Sequence, residues 1–165
     1  MQADPKMQQD ATSGQFLTFY LGKEAYGVDI LKVQEIRGWE AVRPLPDAPE
    51  FVKGVLDLRG IIVPIVDLRL RFGNTAPEYE STTVVIIVAV GTGPDTHLVG
   101  VVVDAVSDVL DASEAEIKPP PRLAGSINQR YLLGMVSLER GMVVLVDIDN
   151  MLSEKELADL ELLTE

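Results

Sequence analysis

The stretch FVKGVLDLRGIIVPIVDLRLRF, residues 51–72, reads as strand, turn, strand. Residues 52–56 and 61–66 are apolar and rich in β-branched side chains, and Asp57-Leu58-Arg59-Gly60 between them supplies the turn chemistry. Its content recurs once, 80 residues on. Laid against residues 131–152 without a gap, Gly54 meets Gly134, Leu58 meets Leu138, Val63 and Val66 meet Val143 and Val146, and Asp67 meets Asp147. Arg59 meets Glu139 instead, and that asymmetry singles the arginine out.

Working outward, residues 16–21 and 25–28 flank the polar Gly22-Lys23-Glu24 and read as a β-hairpin opening the fold. Ile30, Val33 and Ile36 then fit either one or two helical turns or a twisted strand with a bulge. Arg43-Pro44-Leu45-Pro46-Asp47-Ala48-Pro49 is a connection, because its prolines remove backbone donors. Residues 82–90 form a β-branched run long enough for a strand buried on both faces. Residues 91–95 make a turn, and residues 96–104 a strand pairing back on that run. A weaker echo sets residues 27–36 against 100–109, matching Gly27 to Gly100 and Glu35 to Asp108. The chain is therefore a duplication, and halves with several short strands each suggest two small β-barrels. Lys118-Pro119-Pro120-Pro121 is the second connector. Residues 1–14 read as a flexible polar tail, 15–152 as the folded domain, and 153–165 as a terminal helix capped at Ser153 with Leu157, Leu160 and Leu163 on one face.

Composition narrows the function. Cysteine is absent, which removes disulfides, thiolate metal sites and cysteine nucleophiles. A net charge of −12 argues against nucleic-acid or anionic-membrane binding, which needs a basic footprint. Yet residues 32–71 carry seven basic against six acidic groups, a locally neutral patch suited to a protein partner. The start of the chain has no apolar signal region, and the longest apolar run, 84–90, is far short of the roughly 18 residues of a membrane span. The expectation is a cytoplasmic protein without membrane insertion.

Catalytic arrangements are sparse. His97 is the sole histidine and no G-x-S-x-G accompanies it, so it reads as a surface or hairpin residue. Gly91-Thr92-Gly93 lacks the lysine of a phosphate loop. Asp104 and Asp108 read as a solvated acidic face, the rival being a metal-dependent enzyme built on them. Binding features are stronger. Arg59 on a rigid turn either engages a partner carboxylate or pairs with Asp57 or Asp67. Gly54 marks a bulge or close backbone approach, or else a direct contact. Val33 and Ile36 read most simply as core, and Trp39 as core or exposed anchor.

The run Ile30-Leu31-Lys32-Val33-Gln34-Glu35-Ile36-Arg37-Gly38, then Gly54 through Arg69, then Val101 through Leu110, closely resembles the CheW family of bacterial chemotaxis coupling proteins, over about residues 15–163. The resemblance implies an all-β fold of two SH3-like five-stranded β-barrel subdomains, intertwined, with short helices. It implies a non-enzymatic adaptor, without cofactor or metal, joining chemoreceptor cytoplasmic tips to the regulatory domain of the histidine kinase CheA in arrays at the inner membrane face. With no kinase or receiver region, the free-standing adaptor is favoured. Alternatives are a CheW-like scaffold of a non-flagellar chemosensory pathway and an SH3-like structural assembly protein. Position by position, Val33, Glu35, Ile36, Arg59 and Val84 match the family's receptor-binding groove, Gly54 matches a kinase-coupling position, and Asp57 and Gly60 form the turn presenting Arg59. The family's turn usually reads N-L-R-G; Asp57 here lacks the amide donor and adds a charge.

Overall fold

Turn glycines and β-branched runs cut the described residues into ten strands, five in each repeat. In the computed structural model, which describes residues 14–72, 77–91, 94, 96–119, 131–151 and 156, the first repeat holds β1 (Gln15–Leu21), β2 (Glu24–Asp29), β3 (Val33–Gly38), β4 (Val52–Leu58) and β5 (Ile61–Asp67). The second holds β6 (Val84–Val90), β7 (His97–Val103), β8 (Ala105–Asp111), β9 (Leu132–Leu138) and β10 (Gly141–Val146). Sheets and repeats do not coincide. One sheet runs β8-β1-β2-β10-β9, the other β3-β6-β7-β5-β4. Each takes its opening hairpin from one repeat and three strands from the other, which is how the two barrels come to be intertwined. The links explain the exchange. A 3-10 turn at Ile30–Lys32 joins β2 to β3, and Asp104 alone joins β7 to β8. Neither reverses the chain as a hairpin requires, so each passes it to the other sheet.

The ambiguous stretch from Ile30 is thus a 3-10 turn followed by a strand, and β3 carries a bulge between Val33 and Glu35. The expected strand pairs at residues 82–90 and 96–104 are β6 and β7, antiparallel. Strands β4 and β5 are longer than their sequence reading, absorbing Asp57 and Leu58, because Leu58 pairs with Ile61. The described part of the C-terminal region opens with a helix at Ile148–Met151, directly after Asp147. Residues 1–13, the cap at Ser153, and Leu157, Leu160 and Leu163 lie outside the described residues.

Each sheet is closed towards a barrel by its proline connector. Arg43 and Val55 exchange both backbone hydrogen bonds (3.2 and 2.9 Å), as do Lys118 and Met135 (2.9 and 2.9 Å). Both basic residues precede a proline, which holds them extended for pairing. The repeated glycines make this closure sterically possible. A Cβ on Gly54 would fall inside the Arg43 carbonyl, and one on Gly134 would lie 2.6 Å from the Lys118 carbonyl oxygen. Gly54 also sits at φ 150°, where side chains are strained. The close-approach reading of this glycine holds.

Among the described residues, three apolar clusters form the core. Phe16, Val136, Val143 and Leu145 fill the first barrel, and Leu58, Val63, Ile65, Val85, Ile87 and Val102 the second. Between the barrels a larger cluster joins Phe19, Tyr26, Val144 and Val146 to Ile86, Val88, Val99 and Val101. Middle strands therefore alternate between two cores and are apolar on both faces. Gly27 and Gly100, matched in the weaker echo, sit against barrel-core side chains. An added Cβ would lie 3.0 Å from Leu145 and 2.5 Å from Ile65 respectively.

Polar clamps flank the shared cluster at the two crossovers. At the first, Lys32 Nζ meets Asp149 Oδ2 at 2.9 Å while Asp149 Oδ1 accepts the Gly91 amide, also at 2.9 Å. At the second, Asp104 Oδ1 meets Arg69 Nη1 at 2.8 Å while Asp104 Oδ2 accepts the Gly22 amide at 2.6 Å. The crossover residues Lys32 and Asp104 are opposite in sign, and so are their partners Asp149 and Arg69, which lie in the short helices Ile148–Met151 and Leu68–Arg71.

If closure depends on Gly54, Gly54→Ala lowers unfolding free energy by at least about 2 kcal/mol in urea denaturation. Gly38→Ala, whose Cβ meets nothing within 4 Å, changes it by less than about 0.5 kcal/mol.

Candidate functional site

The turn that singles out Arg59 is a two-residue hairpin loop. Arg59 and Gly60 both take positive φ, 51° and 89°, as expected for the primed turns that match strand twist. Asp57 Oδ1 accepts the Gly60 amide at 2.7 Å. That contact needs only an oxygen, which aspartate and asparagine share, so Asp57 preserves the turn. The arginine side chain is 75% exposed and its Nη2 lies 3.1 Å from Glu35 Oε1. It pairs with neither Asp57 nor Asp67, the partners its sequence neighbourhood suggested. Barrel closure brings the turn to β3, a contact across 24 residues of chain.

Strand β3 lies at the edge of its sheet, and its two faces divide the remaining candidates. Ile36 pairs with Ile86, Val33 with Val88 and Gly38 with Val84, so Val33, Ile36 and Val84 share the face that borders the inter-barrel cluster. Ile36 is 44% exposed there, not core as its spacing suggested, because an edge strand overhangs the cluster. Val33 and Val84 are partly buried against it. Glu35 pairs with Ile87 and Arg37 with Val85, on the face of the second barrel's own core. Two groups result: the Glu35–Arg59 pair, and the apolar rim of Val33, Ile36 and Val84. Gly54 belongs to neither. It is buried at the barrel seam beneath Arg43.

Arg59 is less singular than column-by-column comparison implied. In the first barrel Arg140, one residue further along the matching turn, meets Asp108 Oδ1 at 3.2 Å, and Asp108 is the counterpart of Glu35. The exposed apolar residues repeat too: Val109 (46%) for Ile36 and Met142 (38%) for Ile62 (43%). What the second repeat lacks is the arginine's register, not the ion pair. Comparing turns as units, rather than columns, would have found it.

The acidic-face reading holds for Asp108, which is exposed, and is revised for Asp104. Asp108 is held by Arg140 and by the Thr18 hydroxyl, and these partners, Arg140 first, keep its carboxyl below the usual value. Asp104 belongs to a buried network that sequence reasoning missed. Arg69, 1% exposed, gives Nε and Nη2 to the Asp67 oxygens at 3.0 and 2.9 Å and Nη1 to Asp104 and the Glu78 carbonyl. The Tyr79 ring covers its guanidinium at 4.8 Å, and the Tyr79 hydroxyl donates to Asp67 at 2.6 Å. Trp39, partly buried, packs on Tyr79 with ring centres 4.4 Å apart and planes tilted by 33°. Burial opposes the Arg69 charge, and the bonds to Asp67 and Asp104 outweigh it, leaving the pKa raised. Burial first, then the Asp67 hydrogen bond, raises the Tyr79 phenol. The legible signal was Asp67-Leu68-Arg69 closing an apolar strand: charges at a core boundary need partners.

Comparison with known proteins follows this geometry. A family profile described as a CheW-like domain matches residues 15–156. The chain is 45% identical over 153 residues to a protein named Chemotaxis protein CheW from Klebsiella aerogenes, covering 93% of this chain and 90% of that one. It is 34% identical over 122 residues to Protein FrzA from Myxococcus xanthus, covering 74% and 73%. The crystal structure of scaffolding protein TtCheW from Thermoanaerobacter tengcongensis superposes with a TM-score of 0.75 at 29% identity, covering 84% of this chain and 87% of that one.

Stability separates the two arginines. Arg59→Ala should change unfolding free energy by less than about 1 kcal/mol, as for exposed pairs, whereas Arg69→Met leaves buried Asp67 uncompensated and costs about 3–5 kcal/mol. Tyr79 sets an alkaline limit. Its folded pKa lies above the unfolded value near 10, so its contribution is intact below about pH 10 and is lost as pH rises through the folded value. Absorbance titration should show one tyrosine ionising last, and Tyr79→Phe should abolish that step.

Proposed function

Because this chain belongs to the CheW-like family of non-catalytic chemotaxis scaffolds, we propose that it couples chemoreceptor cytoplasmic tips to the histidine kinase CheA, signalling through contact geometry alone. The observation that carries this reading is the 3.1 Å pair between Glu35 and Arg59 on one face of the edge strand β3 that exposes Ile36 on its other face. A charged pair at the mouth of one barrel and an apolar rim along the inter-barrel cluster give an amphipathic partner helix both kinds of contact it requires. Val33, Glu35, Ile36, Arg59 and Val84 are the proposed receptor-binding residues. Gly54 acts in kinase coupling through the connector it accommodates, since a buried glycine offers a partner nothing to touch. The working place is the cytoplasmic face of the inner membrane, where receptor tips project. Similarity to Protein FrzA supports an alternative in which the same scaffold serves a chemosensory pathway with a non-flagellar output.

The test is reconstitution of receptor, CheA and this protein, scored by receptor-stimulated CheA autophosphorylation. Arg59→Glu, with an unchanged melting temperature, should lower the activation by about tenfold or more, since charge reversal places like charges across an interface. Full activation by that correctly folded variant sinks the assignment.

A further inference from the structure

The Glu35 carboxylate serves two arginines. Its Oε1 meets Arg59 Nη2 at 3.1 Å, and its Oε2 meets Arg37 Nη1 at 3.5 Å. Arg37 is itself fixed from the other side, its Nη2 donating to Glu40 Oε1 at 3.1 Å. The result is an alternating chain, Glu40–Arg37–Glu35–Arg59, running along one face of β3 to the turn. Its two ends, Glu40 and Arg59, are the exposed members. Arg59 stands mostly in solvent while Glu35 and Arg37 are partly buried.

An arginine already paired is poorly available to a partner, because leaving its carboxylate unpaired and half-desolvated opposes the exchange. A second cation on the same carboxylate removes that obstacle. We propose that Arg37 is a positioning residue that frees Arg59 for a carboxylate on the docked protein, by remaining on Glu35 when Arg59 swings away. This rests on the docking role given above to Arg59. Arg37 touches no partner in this scheme; it acts through Glu35. The guanidinium fork suits the task, since its two nitrogens engage Glu35 and Glu40 together.

A soluble chemoreceptor cytoplasmic fragment is the probe, with affinity measured by calorimetry at physiological salt. Arg37→Gln should weaken binding by about two- to fivefold, Arg37→Lys should restore most of it, and Arg37→Gln should make no further difference in an Arg59→Ala background. An equal loss in that background, or no loss in the wild-type background, overturns the proposal. The unbound protein gives an independent readout: nitrogen NMR of the Arg59 guanidinium should show slower rotation about Nε–Cζ in Arg37→Gln, where Glu35 holds it undivided. Unchanged rotation overturns the shared carboxylate. Wild-type protein that fails to bind the fragment sinks the docking reading alone, and the rotation measurement then decides the sharing by itself.

Discussion

A strand covered on both faces has no side on which to leave a polar residue in water, and the middle strands of each sheet are in that position. Val85 and Ile87 point into one core while Ile86 and Val88 point into another. Along their doubly buried lengths such strands leave no side chain free for a binding surface, and only their ends, as at Val84, come near one. Charge is displaced to the edges, to hairpin turns and to strand ends, where Glu35, Arg59, Asp104 and Asp108 are found. Any charge that strays inward must be neutralised, which is why Arg69 is surrounded by Asp67, Asp104 and the Tyr79 ring.

Local chemistry made much of this legible. Asp57-Leu58-Arg59-Gly60 announced a turn, the proline connectors announced boundaries, and the gapless match of residues 51–72 to 131–152 announced duplication. Non-local facts were not legible in the same way. That Arg59 meets Glu35 depends on barrel closure through Arg43 and Val55, far apart in the chain. That Ile36 is exposed depends on its strand being an edge, and a strand's place in a sheet is not written in its own periodicity. The reciprocal exchange of hairpins was hidden for a related reason: duplicated sequence gives two equal sets of strands but not which set each pairs with.

The two repeats reuse one framework under different constraints. Glycines at the seams and in the crowded barrel cores match closely, since backbone and apolar packing tolerate little change. Side chains at the barrel mouths have drifted by a residue, from Arg59 to Arg140, while keeping an acid–arginine pair. Framework positions are thus pinned by volume, and mouth positions only by charge and reach.

The opposed clamps at the crossovers make the halves non-interchangeable. Lys32 finds Asp149, and Asp104 finds Arg69, because each half supplies the sign that the other lacks. Two copies of the first half would bring Lys32 against a second Arg69; two copies of the second would bring Asp104 against a second Asp149. Self-pairing of either half therefore meets like charge at both seams, so the repeats favour a heterotypic match within one chain.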